Sequence, residues 1–264
     1  MKKYIVIGNP IEHSFSPLLH NHWIKEKNLN AIYDKKKLEK DKLEEIISNI
    51  KNKNISGANV TVPFKKEVIK YLDKLNPEAE KTQSVNTIYL EDNNLIGANT
   101  DIIGFELAMN DTGYDVSQKS VLILGAGGVV PSIIFALKKM QASEIIVSNR
   151  TKANAECLKD MFGDLKVVEW GESSSFDLVI NATSLGLKSD DKIDFDYSKV
   201  GKNKFFYDVI YNPKETNFLK RAKELNHKTE NGLKMFIYQA AEAFKVWHGF
   251  NPDINKNTFG LFKK

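Results

Sequence analysis

The stretch "SVLILGAGGVV", residues 120–130, runs from an apolar segment fit for a buried strand into a cluster of glycines and on toward a helix. Gly125, Gly127 and Gly128 stand at the turn, where bare backbone lets N–H groups approach a pyrophosphate held at a helix N-terminus. A glycine turn between strand and helix predicts a doubly wound parallel sheet that binds a dinucleotide. Val130 departs from the pattern, which prefers Gly or Ala there for close helix–strand packing.

The surroundings repeat the same alternation. "SVLILG", a helix, "EIIVSN", a helix, "FDLVIN" and "KFFYDVIY" follow one another in the second half. In the first half, "YIVIG" is followed by a helix from about Pro17. "AIYD", a charged helix over 39–51, "GANVTV" and a helix from about Phe64 come next. Such alternation predicts α/β architecture with parallel strands. "NTIYL" and "LIGANT" flank the turn "EDNN" and read as a hairpin. The division between two domains is placed near residue 101. Residues 1–101 would form one domain, completed by the chain from 233 to 264 and its apolar helix. Residues 102–232 would form the dinucleotide domain.

After the second strand of that domain stand Asn149, Arg150, Thr151 and Lys152. A site for NAD carries an acid near this point to accept the ribose hydroxyls. Here there is none, and a guanidinium fork, a hydroxyl and an ammonium suit a 2′-phosphate instead. The expected cofactor is therefore NADP. A water-satisfied basic loop is the bland alternative.

Composition narrows the partners. Thirty-eight basic and thirty-four acidic residues leave a net charge of +4, interleaved along the chain. That predicts a solvated surface, with no nucleic-acid stripe. No apolar run approaches the ~18 residues that would suggest a membrane span, and Met1 leads straight into "KKYIVIG". The lone Cys157 can form no internal disulfide, which fits the cytoplasm. His20 and His22 are two apart on an expected helix and make a poor metal pair, so no metal site is expected. Trp23, Phe236, Phe244 and Trp247 are expected in cores.

Polar residues in the first half collect at the ends of apolar runs: Asn59, Thr61, Lys65, Asn86, Asn99, Thr100 and Asp101. In an open parallel sheet such positions can converge on one crevice. Hydroxyls and amides suit a polyhydroxylated ring, and a lysine with an aspartate suits proton traffic.

The ordered set "GNPIEHSFSPLLHN", "NVTVPFK", "VNT", "NTD", "GAGG", "NRT", "NATSLG", "DVIYNP" and "GLKMFIYQAAEAFKVWHG" resembles the shikimate dehydrogenase family over almost the whole chain. The resemblance implies reduction of 3-dehydroshikimate to shikimate with NADPH, in a cleft between two α/β domains, by a monomer or homodimer. It implies that Lys65 and Asp101 are catalytic. Ser14 and Ser16 would hold the substrate carboxylate, with Thr61, Asn86, Asp101, Tyr211 and Gln239 as further substrate contacts. Gly125, Ala126, Gly127, Gly128, Val129, Asn149, Arg150, Thr151, Lys152, Val209 and Gly232 would line the cofactor site. Asn154 and Leu187 depart from the family pattern, Asn154 standing where a second arginine often clamps the 2′-phosphate. Two rivals stay open: an enzyme that also takes quinate with relaxed cofactor choice, and a silent NADP-binding protein. Whether Lys65 donates the proton itself or acts through water also stays open.

Overall fold

A computed structural model describes residues 1–172 and 175–263; Ser173, Ser174 and Lys264 lie outside the described residues. The chain divides into two compact units, Met1–Gly104 with Ile237–Lys264, and Phe105–Phe236.

In the first unit, β1 (Lys2–Gly8), α1 (Ser16–Glu26), β2 (Ala31–Lys37), α2 (Leu43–Lys51) and β3 (Gly57–Val60) come first. Then follow β4 (Lys74–Leu75), α3 (Pro77–Thr82), β5 (Thr87–Glu91), β6 (Asn94–Ala98) and α4 (Asp101–Asp111), which runs on into the second unit. The strands form one sheet in the order β2-β1-β3-β5-β6-β4. This sheet is mixed, which corrects the parallel reading of the first half: β5 is antiparallel to both β3 and β6. The hairpin makes it so, because two strands joined by a tight turn must run in opposite directions.

One face of the sheet packs Ile5, Ile7, Ala58, Val60 and Ile88 against Leu43, Ile46, Ile47 and Ile50 of α2. Those α2 positions follow the helical i, i+3, i+4, i+7 spacing, which puts them on one stripe. A second set of aromatic rings, Tyr4, Trp23, Tyr33, Phe244 and Trp247, is also buried. Trp247 crosses close to β3 because Gly57 has no side chain. A Cβ there would lie 2.4 Å from the indole nitrogen.

The helix expected from Phe64 is absent. A turn leads instead into a short 3-10 segment at Glu67–Tyr71. Val68 N–H donates to Phe64 O at 3.0 Å, but the carbonyl of Lys65 accepts from the N–H of Val85 at 2.9 Å and Ile69 donates to Lys66, so the i to i+4 ladder of an α-helix stops after that one bond.

The second unit holds β7 (Ser120–Leu124), α5 (Val130–Lys139), β8 (Glu144–Ser148), α6 (Lys152–Phe162) and β9 (Lys166–Val168). It continues with β10 (Leu178–Asn181), β11 (Phe205–Asp208), α7 (Asn217–Glu224) and β12 (Lys228–Glu230). All pairings are parallel, in the order β12-β11-β10-β7-β8-β9. Numbered from β7, this is 6-5-4-1-2-3, the doubly wound order with its switch point between β7 and β10. β9 and β12 lie outside the strands expected from sequence; each is a three-residue edge strand carrying polar residues. Val130 is fully buried at the start of α5, so the helix packs with a bulkier residue at that position. Finally α8 (Leu233–His248) passes back into the first unit, followed by α9 (Lys256–Gly260).

Candidate active site

Parallel pairing of β1 and β3 puts their carboxyl ends on one edge of the first sheet. Thr87 pairs with Asn59 and with Ala98, so the start of β5 and the end of β6 reach that same edge. Hence the loops carrying Ser14 and Ser16, Thr61 and Lys65, Asn86, and Asn99 to Asp101 all leave the sheet from one side.

The loop after β1 is tied to the loop after β3, with Asn9 N–H donating to the carbonyl of Val62 at 3.0 Å. Gly8 makes the approach possible, since a Cβ there would lie 2.5 Å from the Thr61 methyl. Sequence reasoning passes over Gly8, a residue with no chemistry of its own. At the start of α1 the cap residue is Phe15 and no side chain caps the helix. Ser16 N–H donates to Ser14 Oγ at 3.3 Å, and Pro17 occupies the first turn, where a missing N–H costs nothing.

Asn86 is delivered by α3. Asn76 caps that helix through Ala79 N–H, Pro77 opens it, and Gln83 ends it in the left-handed region at φ 46°. Asn86 N–H then donates to Ala98 O at 3.0 Å.

Lys65 and Asp101, both buried, form an ion pair with Nζ 2.5 Å from Oδ2. Asn86 Nδ2 donates to Asp101 Oδ1 at 2.9 Å and lies 3.3 Å from Gln239 Oε1. Asn86 Oδ1 accepts from Thr100 N–H at 2.8 Å. Asn99 Oδ1 accepts from Asp101 N–H at 3.1 Å, holding the start of α4. The structure thus brings together Lys65, Asn86, Thr100, Asp101 and Gln239. It leaves Asn59 outside this group, hydrogen-bonded to the Tyr33 and Thr87 side chains and to the backbone carbonyl of Asn86. The Lys65 amine faces one carboxylate oxygen while the Asn86 amide takes the other.

On the second sheet, Gly125 to Val129, Asn149 to Lys152, Val209 to Tyr211 and Gly232 all follow the carboxyl ends of their strands. Gly125 has φ +112°, and a Cβ there would lie 2.9 Å from Ala182 O across the switch point. No side chain caps α5, whose first turn follows directly. At Gly232 a Cβ would lie 2.1 Å from Val209 O, so only glycine lets these two segments meet. Tyr211 stacks on Phe236, centroids 4.5 Å apart.

Asn149 Nδ2 donates to Thr151 O at 2.7 Å, shaping the basic loop. Arg150 and Thr151 are exposed, and Lys152 is ion-paired with Glu169. Sequence reading misses this partner, which stands seventeen positions away.

It misses Asp208 as well. This carboxylate accepts from Thr216 Oγ1 at 2.6 Å, Ile210 N–H at 3.0 Å and Asn181 Nδ2 at 3.0 Å. Burial pushes its carboxyl up to about 6, against those donors. The signal is present in "DVIYNP" and "NATSLG", where a buried acid and an amide end adjacent strands. Together they fix the Val209 to Tyr211 segment.

Comparison with known proteins fits this architecture. Residues 6–88 match the family described as the Shikimate dehydrogenase substrate binding domain. Residues 106–207 match Shikimate / quinate 5-dehydrogenase, and residues 232–256 the Shikimate 5'-dehydrogenase C-terminal domain. The chain belongs to the shikimate dehydrogenase family. A shikimate dehydrogenase (NADP(+)) of Pelagibacter ubique is 54% identical over 260 residues, covering 98% of each chain. One from Methanocaldococcus jannaschii is 40% identical over 261 residues, with 94% of this chain and 92% of the relative covered. Among solved structures, a shikimate dehydrogenase in complex with NADP+ superposes with TM-score 0.93 at 38% identity, covering 99% of this chain and 94% of that one. The enzyme of Thermus thermophilus, in complex with NADP(H) and shikimate, gives TM-score 0.89 at 31% identity, covering 100% and 98%.

Proposed function

We propose that this protein catalyses the reversible NADPH-dependent reduction of 3-dehydroshikimate to shikimate, in the biosynthesis of aromatic amino acids. The observation that carries the reading is the buried Lys65–Asp101 pair, held with Asn86 and Gln239 at the strand edge of the first unit. A sensor of NADP would have no use for such a pair.

The residues of the second unit fit the cofactor. Gly125 leaves room where a side chain would strike Ala182, α5 starts without a side-chain cap, and Arg150 is exposed at the end of β8. Backbone N–H groups from Gly125 to Val129 would meet the pyrophosphate. Asn149, Arg150, Thr151 and Lys152 would take the ribose phosphate, with Val209 and Gly232 beside the nicotinamide. When bound, the reduced nicotinamide supplies hydride to a carbonyl carbon.

In the first unit, Ser14 and Ser16 donate to the substrate carboxylate. Thr61, Asn86 and Gln239 orient the ring through its hydroxyls. As the carbonyl oxygen gains negative charge, the Lys65 ammonium stabilises it and gives it a proton. Asp101 holds Lys65 in place and accepts from a substrate hydroxyl. In oxidation the same amine takes the proton back.

Cys157 is free and exposed, and no helix among the described residues is long and apolar enough to cross a membrane. We place the enzyme in the cytoplasm, as a monomer or homodimer. The description that matches residues 106–207 includes quinate, so quinate is the second substrate to test. Absorbance of NADPH should rise when the protein meets NADP+ and shikimate, and remain flat without a substrate. No shikimate-dependent signal would contradict the proposal.

A further inference from the structure

Tyr33 lies on β2, buried and two strands away from the catalytic pair. Its ring lies flat on the His20 imidazole, with centroids 4.2 Å apart and planes 3° apart, and Trp247 packs 6.0 Å away. This packing fixes where the phenol points. Its hydroxyl donates to Asn59 Oδ1 at 2.6 Å.

Each further hydrogen bond follows from the last. Because Asn59 Oδ1 faces Tyr33, its Nδ2 faces Asn86 O and Thr87 Oγ1, both at 3.0 Å. Having accepted from Asn59, the Thr87 hydroxyl donates to Asn86 Oδ1 at 3.0 Å. Asn86 Oδ1 also accepts from Thr100 N–H at 2.8 Å, and with Oδ1 held by both donors Asn86 turns Nδ2 toward Asp101 Oδ1. The opposite orientation would set an amide oxygen against a carboxylate. Every member of this chain of bonds is buried, where a misdirected polar group is costly.

We infer that Tyr33 is a positioning residue for the reaction: through Asn59 and Thr87 its hydroxyl acts together with the Thr100 N–H to fix the Asn86 amide, which holds Asp101 against Lys65. The inference rests on the reading of Lys65 and Asp101 as the catalytic pair. Tyr33 touches no reacting atom, so its contribution falls on turnover.

The test is steady-state kinetics of Tyr33→Phe, Thr87→Val and the double variant, with Lys65→Met in parallel. Tyr33→Phe keeps the stacked ring and removes only the hydroxyl. Thr87→Val keeps the shape and breaks the same relay at its middle, so it answers the question even if the first variant folds poorly. Each single change should lower kcat roughly fivefold to thirtyfold, while KM for shikimate and for NADP moves by less than about twofold. The double variant should be no worse than the poorer single one, because both break one path. Unchanged kcat in the single variants, or losses that multiply in the double, would overturn the relay. Retained activity in Lys65→Met would instead remove the catalytic-pair reading and the relay with it.

Discussion

Lys152, the first residue of α6, is ion-paired with Glu169, which follows β9. The pairing raises the ammonium's pKa, with the hydrogen bond to Glu169 the largest cause and Glu156 and Glu172 adding more distant negative charge. The basic loop that reads as a phosphate site therefore contains one cation already answered by an acid. Arg150 is left as the main candidate for the 2′-phosphate.

The cofactor variants should separate accordingly. Arg150→Ala should weaken NADP by roughly tenfold to a hundredfold, the scale of a charge-assisted hydrogen bond, and leave NAD almost unchanged. Lys152→Ala should cost less in the same direction. Glu169→Gln should strengthen NADP, because the freed ammonium no longer has to choose between partners. The measurement is the ratio of kcat/KM for the two cofactors. Equal losses for NAD and NADP in Arg150→Ala would mean that the loop shapes the adenosine pocket without reading the phosphate.

Much of this site is legible in the sequence because its residues sit in short local patterns. Gly125 can be read from a strand-to-helix turn, and Lys65, Asn86 and Asp101 from polar residues at the ends of apolar runs. What escapes depends on distance along the chain. Glu169 meets Lys152 only because β8 and β9 pair, and β9 has too few residues to announce itself. The missing helix after Phe64 turns on one carbonyl, that of Lys65, being taken by Val85 from twenty positions away. Gly8 and Gly232 look like ordinary loop glycines until the segments they let approach are known. Tyr33 reads as one apolar position in a strand, and its hydroxyl acquires a purpose only when Asn59 is placed beside it.

His20 makes stability depend on pH. Desolvation among aromatic rings, with the charge of His248 adding to it, pushes its imidazole down to about 3. Between that value and the ordinary 6.5 the unfolded chain binds the extra proton, so this stabilisation is complete above pH 6.5 and is lost as pH falls. At pH 5 the loss is about 2 kcal/mol. Among the described residues, His20 Nε2 has no hydrogen-bond partner, so a ring without nitrogen gives up nothing there. His20→Phe should therefore lose less stability than the wild type between pH 7.5 and pH 5. Urea unfolding at the two pH values measures it, and parallel losses in both proteins would show that His20 does not carry the acid sensitivity.

The buried pair at the strand edge is the centre of the account, and Lys65→Met tests it most directly. Methionine fills the space of the lysine stem and removes the ammonium, leaving in place the bond from Asn86 Nδ2 to the Asp101 carboxylate and the bond from the Asp101 backbone N–H to Asn99 Oδ1. Steady-state oxidation of shikimate by NADP+ should show kcat reduced by ~100-fold or more, the usual contribution of a positioned acid–base group, with KM for shikimate changed far less. Turnover within a few-fold of the wild type, in a variant that still binds shikimate, would contradict the assignment of proton transfer to Lys65.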